Sequence, residues 1–379
     1  MIREFPETKK TTDAETFLAQ KLQPGKMIGK QRLPILQEYF SARGANAKLA
    51  LKLNSLFAKF DRIKSPSDFA LALTFGEWMQ ANIPDSYLNG KDLVYLADQK
   101  KPISYVTENL KVNFHYWSDF LGLGIFGIAK TGESMEPDIW KAEMPLEGYY
   151  LAIKGGSGSG TFSLDLSIGY NEKSHPSNSL SGQIWRVGID VEVDSGEFAM
   201  RIIRTGTGQK SQGIPVKLEE IENIRKRFLE HYKVSPQRLL LFLALEMAYG
   251  FKFDTVKGLS TQGAMDLSLL SRSKNPPDYT ASMTGVGLKY EHGNWHKISN
   301  LQRDFYDLLA GNGYEDALRP HEVRGYDAIL KAFHELKNQS GDTIPVQILR
   351  EEPDDLAKAW DAYRRLHHQK RERRNGSPK

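Results

Sequence analysis

Between Phe162 and Ile202 the apolar residues of this chain stand at every second position. They run Phe162, Leu164, Leu166, Ile168, then Trp185, Val187, Ile189, Val191, Val193, then Phe198, Met200, Ile202. A period of two puts alternate side chains on opposite faces, so these are strands with one buried face. Asp194 to Gly196 separates the last two and reads as a hairpin turn, which predicts antiparallel neighbours. Lys154 to Gly160 reads as a flexible glycine turn, and Asn171 to Ser181, with Pro176, as a polar loop. After Ile202 the chain enters a second glycine-rich passage, Arg204 to Gly213.

The flanking periods are helical. In Ala45 to Phe60 the residues Leu49, Leu53, Leu56 and Phe60 recur at steps of three and four, one face of an amphipathic helix. Ser65 and Pro66 open another, with Phe69, Ala72, Phe75, Trp78 and Met79 as its stripe and Pro84 beyond its end. Thr107 to Leu121 reads as a third, through Leu110, Phe114, Trp117 and Leu121. Beyond the glycine passage, Val216 to Tyr232 is a charged amphipathic helix. Ser235 and Pro236 start one that is apolar all round to Tyr249 and is therefore predicted to be buried on the sheet. Gly250 suits its cap, and Phe251 to Gly258 reads as a returning strand. Later, Leu301 to Leu309, His321 to Lys337 and Asp354 to Arg373 look helical, with a short strand at Ile344 to Leu349.

The fold class predicted is α/β of the α+β kind: an antiparallel-rich mixed sheet flanked by helices, with an N-terminal helical region. The divisions expected are 1–130 helical, 131–350 the mixed α/β core, and 351–379 a charged helix and tail. With 379 residues, 40% hydrophobic and 26% charged, the chain has the composition of a globular protein. The absence of cysteine excludes disulfides, thiolate nucleophiles and cysteine-ligated metals. Much of the net charge of +4 sits in the tail His367 to Arg374, so no nucleic-acid surface and no DNA partner are expected. The first ten residues are charged and no long uncharged apolar run follows, which predicts a cytoplasmic protein with no transmembrane segment.

His115-Tyr116, the strands of Glu147 to Tyr170, the step Gln212-Gly213, the helix start at Pro236 and the strand of Gly250 to Ser260 come in an order that resembles VirK-type bacterial proteins. The resemblance covers roughly Val112 to Gly313. It departs at Tyr232 to Pro236, where the family's arginine before the proline is missing. It implies a non-catalytic protein that binds a lipid, peptide or protein partner in virulence, stress or defence.

The core is also similar to GNAT-type N-acyltransferases, where an antiparallel strand meets a glycine loop and a helix N-terminus that bind a coenzyme A pyrophosphate. Ala244 to Val256 is similar to the helix and strand after that loop, and Asn300 to Gly313 to the closing helix. This resemblance implies an acyl-CoA or another acyl-thioester as cosubstrate and a small-molecule or peptide amine as acceptor. It puts the donor on Arg204, Gly206, Gly208, Gln209, Lys210 and Gly213, and makes Tyr306 the acid that protonates the leaving thiolate. The spacing departs from the family's, since Arg204 stands two residues before Gly206.

Read for themselves, glycines let a backbone approach an anion closely and Lys210 adds charge, although a plain strand-to-helix connection has the same composition. Asp190 and Glu192 lie on the strand face opposite Val187 to Val193. They are candidates for a general base if that face lines a cleft, and solvated surface acids if it does not. His292 and His296 stand four apart without a third ligand, which argues against a metal site.

Overall fold

The computed structural model describes residues 7–23, 27–58, 62–83, 101–120, 138–144, 146–157, 160–170, 182–194, 197–207, 210–211, 214–215, 218–232, 234–251, 253–266, 278–291 and 295–311. They fall into two compact units, one within residues 1–111 and one from Val112 onward.

The first unit is built from α1 (Glu7–Lys21), α2 (Ile28–Ser41), α3 (Ala47–Ala58), α4 (Pro66–Asn82) and most of α5 (Ile103–Phe114). Ser65 begins α4 as the sequence requires. Its hydroxyl accepts from the Asp68 N–H at 3.1 Å, and the Asp68 carboxylate accepts from the Ser65 N–H at 3.0 Å, a reciprocal cap that satisfies two end amides. The predicted stripes of α3 (Leu49, Leu53, Leu56) and α4 (Phe69, Ala72, Phe75, Trp78, Met79) are buried. Gly76 lets α4 come close, because a Cβ there would land on Phe40 and Leu53. α1 and α2 fall within the region expected to be helical, although neither was singled out there: α1 is mostly polar, and Pro34 inside α2 removes an amide that an interior helical residue normally donates. Phe60 and Pro84 lie outside the described residues.

The second unit carries the strands β1 (Asp138–Glu143), β2 (Tyr149–Ser157), β3 (Gly160–Tyr170), β4 (Gly182–Asp194), β5 (Glu197–Thr207), β6 (Lys210–Ser211), β7 (Ile214–Pro215), β8 (Thr255–Leu259), β9 (Lys289–Tyr290) and β10 (Trp295–Ile298). Eight form one sheet in the order β1-β2-β3-β4-β5-β8-β10-β9. Its ladders are antiparallel except for β5 beside β8, which is parallel. β4 and β5 pair from Trp185↔Thr207 to Asp194↔Glu197, the antiparallel hairpin expected around Asp194 to Gly196.

Helices α6 (Leu218–Tyr232) and α7 (Pro236–Gly250) connect β5 to β8. Parallel neighbours need such a crossover. Every residue of α7 from Leu239 to Ala248 is buried, as its all-round apolar pattern demands. Ser235 caps it, accepting from the Arg238 N–H at 3.3 Å. Phe228 of α6 packs its ring against Tyr149, Trp185 and Tyr232. Two further short helices, α8 (Thr261–Asp266) and α9 (Tyr279–Thr284), lead to β9, and α10 (Leu301–Gly311) follows β10.

Three expectations change. Lys154 to Ser157 belong to β2 and Gly160 to β3, so most of that glycine passage is strand. Arg204 to Thr207 likewise continue β5, with Gly206 opposite Arg186 and Thr207 opposite Trp185. In both places pairing with a long neighbour overrides the local freedom of glycine. The returning strand begins at Thr255 rather than Phe251. The segments His321 to Lys337, Ile344 to Leu349 and Asp354 to Arg373, and with them the division 351–379, lie outside the described residues.

Candidate functional site

Two features meet at the centre of the sheet, a fork between parallel strands and a buried row of charges. The fork begins at Ile203. Gly188 pairs with Arg204 and Ile189 with Ile202, which leaves Ile203 as an extra residue in β5. A bulge of this kind bends its strand and increases the local twist. The parallel ladder with β8 runs from Ala199↔Thr255 to Ile202↔Gly258 and has no rung beyond, while β5 runs on to Thr207. Between parallel strands, ligands are usually held outside the carboxyl ends.

Polar side chains from two helices converge on the extended end of β5. The Gln237 amide, in the first turn of α7, donates to the Thr205 hydroxyl at 2.6 Å and to the Ser282 hydroxyl of α9 at 2.8 Å. Tyr279 of α9 is 3% exposed, and burial pushes its hydroxyl pKa above the ordinary value. Next along the strand, a Cβ added to Gly206 would meet open space. Of the other residues assigned to the anion loop, Arg204 lies in β5 and Lys210 in β6, and Gly208, Gln209 and Gly213 lie outside the described residues. β6 pairs with β7, Lys210 opposite Pro215.

Asp190 and Glu192 do share a strand face, but they are neither solvated nor unengaged. Each is 3% exposed and Arg201 is 0% exposed. Asp190 accepts two bonds from the Arg201 guanidinium, at 2.7 Å from Nε and 2.6 Å from Nη2, and Glu192 accepts from Nη1 at 3.3 Å. The Lys257 ammonium lies 2.7 Å from Glu192 and 3.7 Å from Glu197, and the Lys297 ammonium 2.9 Å from Glu197. Register explains the convergence: Asp190↔Arg201, Arg201↔Lys257 and Lys257↔Lys297 are successive cross-strand partners. The Trp295 ring lies 5.5 Å from the Arg201 guanidinium, a cation–π contact.

Each charge in the row has an opposite partner, as burial requires. Burial pushes the Lys257 ammonium down, but the charge and hydrogen bond of Glu192 and the charge of Glu197 outweigh it and hold the pKa above the ordinary value. Carboxylates whose oxygens already accept from a guanidinium and an ammonium have no oxygen turned toward a substrate amine. The row therefore locks register rather than offering a base. Tyr306, the third predicted catalytic residue, falls in α10, and its side chain lies outside the described residues.

Sequence reasoning passed over Thr205, Gln237, Tyr279 and Ser282. The one available signal was Asp278, which caps α9 by accepting from the Ala281 N–H at 2.9 Å. It also passed over the burial of His296, which is 1% exposed opposite Gly258. Neither ring nitrogen has a hydrogen bond of good geometry among the described residues. Burial pushes the imidazole pKa down, and the Leu288 main chain and the Asp278 charge offset only part of that. The native state thus favours the neutral ring, so stability stands in full above the ordinary value of 6.5 and falls as pH drops below it, where the unfolded chain takes up the proton first. Denaturant titrations from pH 7.5 to 5 are expected to show this loss, and His296→Leu to flatten the slope. An unchanged slope would assign the loss to other groups.

Among the described residues no cluster of three or more histidines and carboxylates could hold a metal ion. No helix among them is long and apolar enough to cross a membrane. No protein-family model matches the chain, and a search of curated proteins found no match.

Proposed function

We propose that the chain is a cytoplasmic N-acyltransferase that takes an acyl-thioester, such as an acyl-coenzyme A, into the fork between β5 and β8 and transfers the acyl group to a small-molecule or peptide amine. One observation carries the reading: the parallel ladder stops at Ile202↔Gly258, at a bulge, and polar groups from α7 and α9 gather on the strand that continues. The passage Arg204 to Gly213, with Lys210, follows directly and would receive the donor's phosphates. The amine nitrogen attacks the thioester carbonyl, the carbon–sulfur bond breaks, and the thiolate takes a proton from Tyr306. Because Asp190 and Glu192 are engaged by Arg201 and Lys257, the amine proton leaves through water.

That same engagement favours a second reading, a non-catalytic VirK-like protein whose sheet binds a lipid, peptide or protein partner. Saturating acetyl-coenzyme A separates the two. The acyltransferase reading expects a Tm rise of about 4 °C or more, since ligand at 100 times its Kd adds about 2.7 kcal/mol. Lys210→Ala should reduce the rise. No rise with any acyl-thioester would rule out the first reading and leave the second.

A further inference from the structure

We infer that Arg186 is the oxyanion anchor of the site beside the strand fork. Its guanidinium takes, over Gly206, either the carboxylate of an amine acceptor that carries one, as an amino acid does, or a phosphate of the acyl donor. The inference rests on the acyltransferase reading and narrows the class of its substrates.

Register puts Arg186 in a clearing of small residues. It stands opposite Gly206 of β5 and opposite Ser167 of β3, and Gly188 lies two residues on in its own strand. Residues directly paired, and those two apart along a strand, share a face of the sheet. No large side chain therefore rises beside Arg186 at these three positions. A Cβ on Gly206 would meet nothing within 4 Å, so the Arg186 side chain leaves the space over that glycine open. It reaches instead to β3, where Asp165, the partner of Gly188, lies on the diagonal that a long side chain can span. Glycine inside a strand often marks a place where a ligand comes close. Gly206 stands just past Ile202, where the ladder with β8 ends.

The bonding of Arg186 singles it out. Arg201, on the same face, gives three hydrogen bonds to two carboxylates. Arg186 meets Asp165 only at 3.7 Å, longer than a hydrogen bond, and its buried Nε has no hydrogen-bond partner. The Arg186 side chain is 20% exposed and that of Asp165 1%. A largely buried guanidinium with an unused donor is costly unless an acceptor arrives. Its planar set of N–H groups matches the paired oxygens of a carboxylate or a phosphate. Asp165 holds the guanidinium by charge and leaves its donors for that ligand.

The test is calorimetry of the full chain with three probes, on the wild type and on Arg186→Gln, which removes the charge. Acetyl-coenzyme A brings phosphates, acetyl-pantetheine brings the same acyl-thioester without an anion, and N-acetylglycine brings the carboxylate of a transfer product. Loss of charge-assisted bonds is expected to weaken the probe whose anion Arg186 holds about ten- to hundred-fold and to leave acetyl-pantetheine unchanged. Weakening of N-acetylglycine assigns Arg186 to the acceptor's carboxylate, and of acetyl-coenzyme A to the donor's phosphate; either supports the anchor. Unchanged binding, by a folded Arg186→Gln, of every probe that the wild type takes would overturn the anchor and leave the acyltransferase reading standing. Equal weakening of acetyl-pantetheine would do the same, since packing rather than an anion would then be at stake. Absence of binding of all three probes to the wild type would overturn both. Should Arg186→Gln not fold, Arg186→Lys, which keeps the charge and loses the paired donors, takes its place, with a loss of about three- to ten-fold expected and no loss counting against the anchor.

Discussion

Replacing Arg201 with alanine is expected to lower stability by about 3–5 kcal/mol, the range for breaking a buried ion pair by removing one partner. Arg201 has no exposed surface and supplies three hydrogen bonds to two carboxylates that are themselves buried. Without it Asp190 loses both of its bonds to the guanidinium, and Glu192 keeps Lys257. The carboxylate charge left in the interior without its guanidinium, more than the lost attraction, sets the size of the effect. A Tm drop of about 10 °C follows for a unit of this size. High salt should restore little, because ions screen buried pairs weakly. Replacing Arg201, Asp190 and Glu192 together by apolar residues of similar volume should recover much of the loss, since a buried ionic cluster often adds little net stability over a well-packed apolar one. A single Arg201→Ala variant within 1 kcal/mol of wild type, by urea titration, would contradict the geometry.

The outer edge of the same row predicts an acid limb. Burial pushes the Glu197 carboxyl up, but its bonds to Lys297 and Thr255 and the charge of Lys257 outweigh it and hold the pKa below the ordinary value of 4.5. Its contribution to stability is therefore present above pH 4.5 and lost as pH falls through the native-state value.

Asn113→Ala is expected to cost about 3 kcal/mol. Its amide nitrogen donates to the Val191 carbonyl at 2.6 Å, and its oxygen accepts from the Val191 N–H at 2.7 Å and from the Trp117 indole at 3.1 Å. The reason lies in β3. The β3–β4 ladder reaches Leu164↔Ile189, and two residues further Phe162 would stand opposite Val191. Phe162 instead has φ 64°, a left-handed backbone that costs a bulky residue about 1–2 kcal/mol, and its ring meets Phe114 at 5.5 Å. Asn113 fills the gap with a side-chain amide that copies a peptide group. Alanine would leave a buried N–H and a buried C=O without partners, each costing about 1–3 kcal/mol. Asn113→Asp should fare no better, because a carboxylate cannot donate to the Val191 carbonyl. Trp117→Phe, which removes only the third bond, should cost about 1 kcal/mol. Equal losses for Trp117→Phe and Asn113→Ala would show that ring packing, rather than the bridge to Val191, is what matters.

Much of the scaffold was legible because long elements repeat their period many times. α7 was read as a buried helix from an unbroken apolar run, and β3, β4 and β5 from strict alternation. Elements of two to six residues, such as β9, β10 and α9, repeat too little for periodicity to register. The candidate site was harder to read. Asp190 and Glu192 were found as a pair on one face, yet alternation alone marks that face as polar. It says nothing of Arg201, Lys257 and Lys297 arriving from three other strands to bury it. Thr205, Gln237, Tyr279 and Ser282 carry no shared motif; they come within reach only because a bulge at Ile203 ends one ladder.

The chain's local chemistry by itself determined that α3, α4 and α7 are helices and β3, β4 and the first part of β5 are strands, that β4 and β5 form an antiparallel hairpin, and that Ser65 and Ser235 start helices. These follow from interactions within a few residues, whose strength depends on neighbours in sequence. Only the tertiary structure decided which strands lie side by side, that one pair is parallel and parts at Ile202, and that a polar strand face becomes a buried ionic row. Those outcomes depend on contacts between residues as distant as Glu192 and Lys257, and no period or spacing encodes a partner brought in by a crossover.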